Sequence, residues 1–341
     1  SDGKSFFDDA ITAGPFEFMV AIGFAFEYVL TNILFVPFIS GAAYNGDMAA
    51  MTVGFSAQSD EARHMTLGLE CIKFMLEQDP DNLPIVQRWI DKWTWRGTRK
   101  LASVGMMMDY MLPKRIMSFK EAWEIYFEQN GGALFNDLAR YGVTVPKCFA
   151  QTIEEKEHVT HQSWIGFYMK PDATPFHTWI PSPDEMDWLS EKYPNTFDQY
   201  YRPVLEYFDQ QEKAGNRFNN QTQPMNCQVC VSTIKFNEPG DPMEMCFRET
   251  EYQGEKYHFC SDHCQEIFEN EPEKYVQTFI SSHQGLQGNC EPEGTDVNAP
   301  DYRPGARMPE NWRMDPRASG DFNGSQDQKN FAQWRDQATK N

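Results

Sequence analysis

The stretch that most limits how this chain can fold is FEFMVAIGFAFEYVLTNILFVPF, residues 16–38. It is apolar on every side, so as a helix it must be buried in protein or in lipid. One carboxylate, Glu27, sits in its middle. A lone buried carboxylate costs several kcal/mol unless it is protonated, paired or bound to a metal. Further along comes Glu61-Ala62-Arg63-His64. Glu and His three apart share one face of a helix. An inward Glu with a Glu-x-x-His pair is half the ligand set of a carboxylate-bridged di-iron site in a helical bundle. Such oxygen ligands with one imidazole suit iron or manganese.

Length alone would let residues 16–38 cross a membrane. Glu27, Thr31 and Asn32 near the centre, Glu17 near the start and the lack of a second span point instead to a buried core helix. Residues 1–14 read as the end of one element, broken at Gly14-Pro15, and the apolar helix spans 15 to about 36 with Pro37 near its end. Further helices are predicted at 42–77, 83–111, 118–139 and 146–169. The second carries small residues, among them Gly54 and Gly68, that allow close packing. Gly131-Gly132 interrupts the fourth. A second Glu-x-x-His, Glu155 to His158, lies in the charged run EEKEH with His161 nearby, and reads as a solvated face rather than a ligand pair.

The expected architecture is therefore mainly α. A partial ferritin-like helical bundle occupies 1–170 and a connecting region 171–226, with short helices at 183–192 and 196–214. A small zinc-binding module of treble-clef type follows at 227–283, and an extended polar tail at 284–341. The module rests on Cys227-x-x-Cys230 and Cys260-x-x-x-Cys264, a spacing that suits four thiolates around a structural zinc, with His263 and Cys246 as rival ligands. A net charge of −20 argues against a nucleic-acid partner, because phosphate binding needs clustered Lys and Arg. No secretory leader is visible, and eight cysteines without secretory context favour metal binding in a reducing cytoplasm over disulfides.

FAFEYVLTNILFVPF followed by SDEARHM resembles the large (alpha) subunit of the soluble bacterial multicomponent monooxygenases, phenol hydroxylase most closely. The resemblance covers nearly all of this chain, which corresponds to about the C-terminal two-thirds of such a subunit. It implies a di-iron centre that activates O2 and hydroxylates phenol or a related arene. It implies a dimer of heterotrimers with two other hydroxylase subunit types, a small regulatory protein, and a reductase carrying FAD and a 2Fe–2S cluster and drawing on NADH. The family's first Glu and first Glu-x-x-His do not occur here, so the remaining iron ligands are expected from outside this sequence, upstream of Ser1.

Carried over by position, the resemblance gives Glu27, Glu61 and His64 the iron-ligand roles and Thr31 that of the active-site threonine in oxygen activation and proton delivery. Phe6, Ile22, Phe26, Phe35 and Phe38 would line an apolar substrate pocket, though plain core packing explains such residues equally well. Asn32 and Gln58 would belong to a polar route to the surface, with Asp60 and Arg63 flanking the ligands. Two other readings remain open: a ferritin-like oxidase or radical-storing subunit, and a non-enzymatic zinc-stabilised scaffold.

Overall fold

Helix ends in this chain are set by short polar side chains. Asp47 opens the longest helix by accepting the Ala50 N–H at 2.9 Å, and Asp79, followed by Pro80, closes it. Ser118 and Glu121 form a reciprocal capping box at the start of another. The computed structural model describes residues 2–128, 135–169, 178–214, 227–231 and 248–276. The connecting region and zinc module are therefore described in part. Gly131-Gly132 and the predicted tail lie outside the described residues.

The helices are α1 (Asp2–Thr12), α2 (Pro15–Met19), α3 (Asn32–Tyr44), α4 (Met48–Gln78), α5 (Leu83–Met106), α6 (Phe119–Ala122), α7 (Phe149–Glu155), α8 (Val159–Met169), α9 (Pro183–Lys192), α10 (Arg202–Lys213), α11 (Asp262–Asn270) and α12 (Pro272–Tyr275). Among the described residues, four wider π-helical segments interleave with them: π1 (Val20–Thr31), π2 (Met107–Met111), π3 (Trp123–Glu128) and π4 (Phe197–Tyr201). A hairpin pairs β1 (Arg248–Tyr252) with β2 (Glu255–Phe259). Among the described residues the chain is thus mainly α, as expected.

The apolar segment departs from its expectation in two ways. Its central turns are π-helical, with i to i+5 hydrogen bonding, a geometry frequent at functional sites. It also continues past Pro37 to Tyr44. The chain bends by 44° between Pro15–Thr31 and Phe35–Tyr44. The ring of Pro37 crowds the carbonyl four residues earlier, at Ile33, which places the break there. Among the described residues no single helix is long and apolar enough to cross a membrane; this bent pair passes by length and composition only.

The chain divides into two compact units. The first unit comprises Asp2–Thr160 and Glu191–Tyr193. Here π1 packs between α4 and α5 and buries Val20, Ala21, Phe24, Ala25, Val29 and Leu30. The helix α5 brings cations inward. Lys92 Nζ meets Glu17 Oε1 at 2.9 Å, the Trp93 indole N–H donates to the same oxygen at 3.0 Å, and Arg96 reaches Asp9 at 3.5 Å. These partners tie α1 and α2 to α5, since burying either charge alone would be costly. In the same unit Asp109, fully buried on π2, accepts the Phe119 N–H at 2.9 Å and the Tyr193 hydroxyl at 2.7 Å. The Tyr193 oxygen accepts the Lys120 N–H at 3.1 Å. Burial pushes the Asp109 carboxyl up to about 6.

The second unit comprises His161–Ser190 and the chain from Pro194 onward. His161 lies against Phe197 and Tyr201, Trp164 donates to the Trp179 carbonyl at 3.0 Å, and Tyr168 stacks on Phe208. The β1–β2 turn is Gln253-Gly254, both at positive φ (53° and 80°), the conformation that matches a two-residue hairpin to strand twist. Phe268 of α11 packs on Tyr257 and Phe259 of β2 at ring separations of 4.9 and 5.0 Å.

Candidate metal centres

Two groups of side chains in the described residues could hold a metal ion, and both were expected from the sequence. In the first, one ligand atom from each of Glu27, Glu61 and His64 lies within 4.8 Å of the others. His64 Nδ1 stands 3.2 Å from Glu61 Oε2 and 3.4 Å from Glu27 Oε1. Two donors on one ion at ~2.1 Å each lie at most about 4.2 Å apart, so both spacings suit a shared ion. Glu27 reaches the group from π1, while Glu61 and His64 come from successive turns of α4. The Glu27 carboxyl is raised above its usual range, first by burial and then by Glu61, with His64 opposing. His64 is raised by its hydrogen bond with Glu61 and then by the Glu27 charge. The Glu27 carboxylate therefore gains from a cation beside it.

The close approach of π1 and α4 depends on glycine. A Cβ on Gly68 would come within 2.5 Å of the Gly23 carbonyl oxygen and 2.7 Å of the Phe24 amide nitrogen. On the other side of π1, a Cβ on Gly97 of α5 would run into Leu30 Cδ1. Gly68 was flagged in the sequence only as one small residue among several. The buried cations of α5 were missed, although Lys92, Arg96 and Arg99 recur at helical spacing among tryptophans, a sign that acids must meet them.

The other named residues are distributed unevenly. Thr31 is buried and its hydroxyl donates to the Glu27 backbone carbonyl, so in this structure it is turned back onto its own helix. Phe6 is fully buried and touches Phe26 at 5.4 Å and Trp93 at 5.3 Å, while Ile22 and Phe35 are half-buried. Phe38 does not share that enclosure, since it is 52% exposed on α3. Gln58 is half-buried, Asp60 and Arg63 pair at 3.7 Å on the surface, and the Asn32 side chain lies outside what is described. The charged run at 155–158 corrects the expected solvated face: Glu155 is buried and meets Arg99 Nη1 at 3.1 Å. It balances the charge of Arg99 and is not gathered with any histidine into a metal cluster among the described residues.

The second group is Cys227, Cys230, Cys260 and Cys264, all buried. Their sulfurs stand 3.5 Å (Cys230–Cys260) and 3.7 Å (Cys260–Cys264) apart. Four thiolates at ~2.3 Å from a tetrahedral zinc would be about 3.8 Å apart, so the cage has zinc dimensions. Ser261 caps α11 by accepting the Cys264 N–H at 3.1 Å, which aims Cys264 back at the other three. Hydrogen bonds from neighbouring thiols hold Cys260 well above its usual range, and burial, ahead of those bonds, does the same for Cys264. A divalent cation reverses that balance by stabilising the thiolates.

The chain resembles known proteins over most of its length. Residues 1–79 match the family profile described as Methane/Phenol/Alkene Hydroxylase, and residues 236–279 match the YHS domain. The oxygenase component of phenol 2-monooxygenase from Pseudomonas sp. strain CF600 is 63% identical over 294 residues, 86% of this chain and 56% of that protein. The alpha subunit of the alkene monooxygenase oxygenase component from Xanthobacter autotrophicus is 32% identical, over 80% of this chain and 54% of that protein. A crystal structure of phenol hydroxylase from Pseudomonas sp. OX1 superposes with a TM-score of 0.79 at 63% identity, covering 85% of this chain and 59% of that one. The chain thus spans somewhat more than half the length of the relatives it matches.

Proposed function

The chain belongs to the methane/phenol/alkene hydroxylase family, and from that premise we propose that it works as the large subunit of the oxygenase component of a multicomponent monooxygenase that hydroxylates phenol or a related small arene. The observation that carries this reading is the convergence of Glu27, Glu61 and His64 in a chain 63% identical to a phenol 2-monooxygenase oxygenase component. In this proposal the three residues hold iron in a carboxylate-bridged pair whose other ligands come from outside this sequence. The four cysteines hold one structural zinc, with no position left open for water or substrate. The partners are two further hydroxylase subunit types in a dimer of heterotrimers, a small regulatory protein, and an NADH-dependent reductase with FAD and a 2Fe–2S cluster. The proposed location is the cytoplasm.

When bound, the iron pair supplies the O2-activating redox chemistry. The chain's own residues do the rest. Glu27 and Glu61 neutralise the cations, and the Glu61–His64 contact fixes the imidazole so that Nδ1 faces the carboxylates. Phe26 and Ile22 lie on π1 with Glu27, and Phe6 packs on Phe26; together they would offer apolar surface to a planar ring. Thr31 sits one turn from Glu27, where its hydroxyl could exchange the backbone carbonyl for a proton-carrying role.

The test is elemental analysis and turnover of the chain purified with its partner subunits. About two irons and one zinc per chain, with phenol-dependent O2 uptake that Glu27→Ala abolishes, is the expected result. Zinc without iron would overturn the oxygenase reading and favour a zinc-stabilised scaffold. Iron with O2 uptake that ignores phenol would favour a ferritin-like oxidase.

A further inference from the structure

We propose that the Gly23–Gly68 crossing is the spacer that sets how far Glu27 stands from Glu61 and His64, which makes Gly68 a positioning residue for the metal centre; the inference rests on the metal reading above. Gly68 follows His64 by four residues and Glu61 by seven on α4, so all three share one face. Gly23 precedes Glu27 by four on π1. The two backbones touch there. A Cβ on Gly23 would lie 3.0 Å from Gly68 Cα, and one on Gly68 would lie within 2.5 Å of the Gly23 carbonyl oxygen. The ligands project from the next turn on each helix, so any separation of the backbones is passed on to them.

The nature of the neighbouring atoms distinguishes this crossing from others in the unit. A Cβ on Gly54, also on α4, would meet Ile39 Cγ1 at 2.6 Å and Phe38 Cδ1 at 3.4 Å. Those are side-chain atoms, so it is Ile39 and not a helix backbone that has to give way. At Gly68 the obstacle is the peptide group of the opposing helix, which cannot. Restoring ordinary contact of about 3.5 Å from the 2.5 Å approach moves the helices apart by roughly 1 Å. Metal–ligand distances tolerate only about 0.2 Å. A shift that a packed core could absorb therefore exceeds what a shared ion can.

The test compares Gly68→Ala with Gly54→Ala in the full chain with its partner subunits. The readouts are iron per chain, the Glu27–His64 separation in crystals of iron-free and iron-loaded protein, and helicity by circular dichroism. Gly54→Ala is expected to keep wild-type iron and separation. Gly68→Ala is expected to keep its helicity, lengthen the separation by about 1 Å and lose at least tenfold in iron affinity. Wild-type separation and iron content in Gly68→Ala would overturn the inference. Should Gly68→Ala fail to fold, Gly23→Ala meets its neighbour less closely and carries the same comparison. If the wild type binds no iron at Glu27, Glu61 and His64, the functional reading fails, while the iron-free separation still decides the spacer.

Discussion

Asp109 allows a stability prediction whose sign and size both follow from its surroundings. It is fully buried on π2, bonded to the Phe119 N–H and the Tyr193 hydroxyl, and burial pushes its carboxyl from 3.8 to about 6. In the folded protein it therefore holds its proton in the window between about 4 and 6, where the unfolded chain has already released it. Its contribution is fully present below pH 4 and is lost as pH rises through 6. The shift of about 2 units corresponds to roughly 3 kcal/mol of stability lost between pH 4 and pH 7.5. Asp109→Asn keeps an acceptor for the Phe119 N–H and cannot ionise, but it turns an amide N–H toward the Tyr193 hydroxyl in place of the oxygen that accepts from it. Chemical denaturation followed by tryptophan fluorescence, repeated from pH 4 to 7.5, measures the difference. The variant should lose ground to the wild type near pH 4 and gain on it by about 3 kcal/mol toward pH 7.5. Parallel pH profiles for the two proteins would refute the argument, because the carboxyl would then titrate alike in both states.

Three further outcomes are expected. Glu155→Ala leaves Arg99 buried beside an emptied partner and should cost about 3 kcal/mol or more, seen as a fall in Tm, whereas a surface pair such as Asp60–Arg63 should lose nothing measurable on the same change. Trp93→Phe removes the indole N–H donated to Glu17 and should cost about 1 kcal/mol, with Lys92 still bound to that carboxylate. Cys264→Ser should release zinc to a chromogenic chelator and erase the hydrogen-exchange protection of residues 248–276 without altering that of α4 and α5; unchanged zinc would point to a ligand outside the four cysteines.

Much of the candidate site was legible before the fold was known, and particular residues show why. A single carboxylate in a long apolar run demands a partner, and Glu-x-x-His supplies two ligands whose convergence needs only helical periodicity. The Cys-x-x-Cys and Cys-x-x-x-Cys pairs are similarly local. What stayed hidden depends on tertiary placement. Nothing local says that Glu155 in EEKEH turns inward, because the cation that draws it in, Arg99, belongs to another helix. Nor does an all-apolar segment reveal its own pitch. With no polar face to mark the period, a π-helix over Val20–Thr31 reads the same as an α-helix. Pro37 misled for a related reason: it bends the chain, but the surrounding packing carries the helix on to Tyr44.

The wide turns of π1 make the phase of the metal ligand tolerant of a change in segment length. A π-helical stretch holds more residues per turn than an α-helix, so removing one residue between Gly23 and Glu27 can be absorbed as a return to α geometry rather than as a break. Each residue of an α-helix advances by about 100°. Tightening with no residue lost would swing Glu27 around the axis relative to the Gly23 contact, whereas losing one residue at the same time offsets most of that turn. A single-codon deletion would therefore leave the ligand near its place, where the same deletion in an α-helix would turn it by about 100°. Sequence length within this segment is thus buffered by its pitch, separately from the identity of any residue in it.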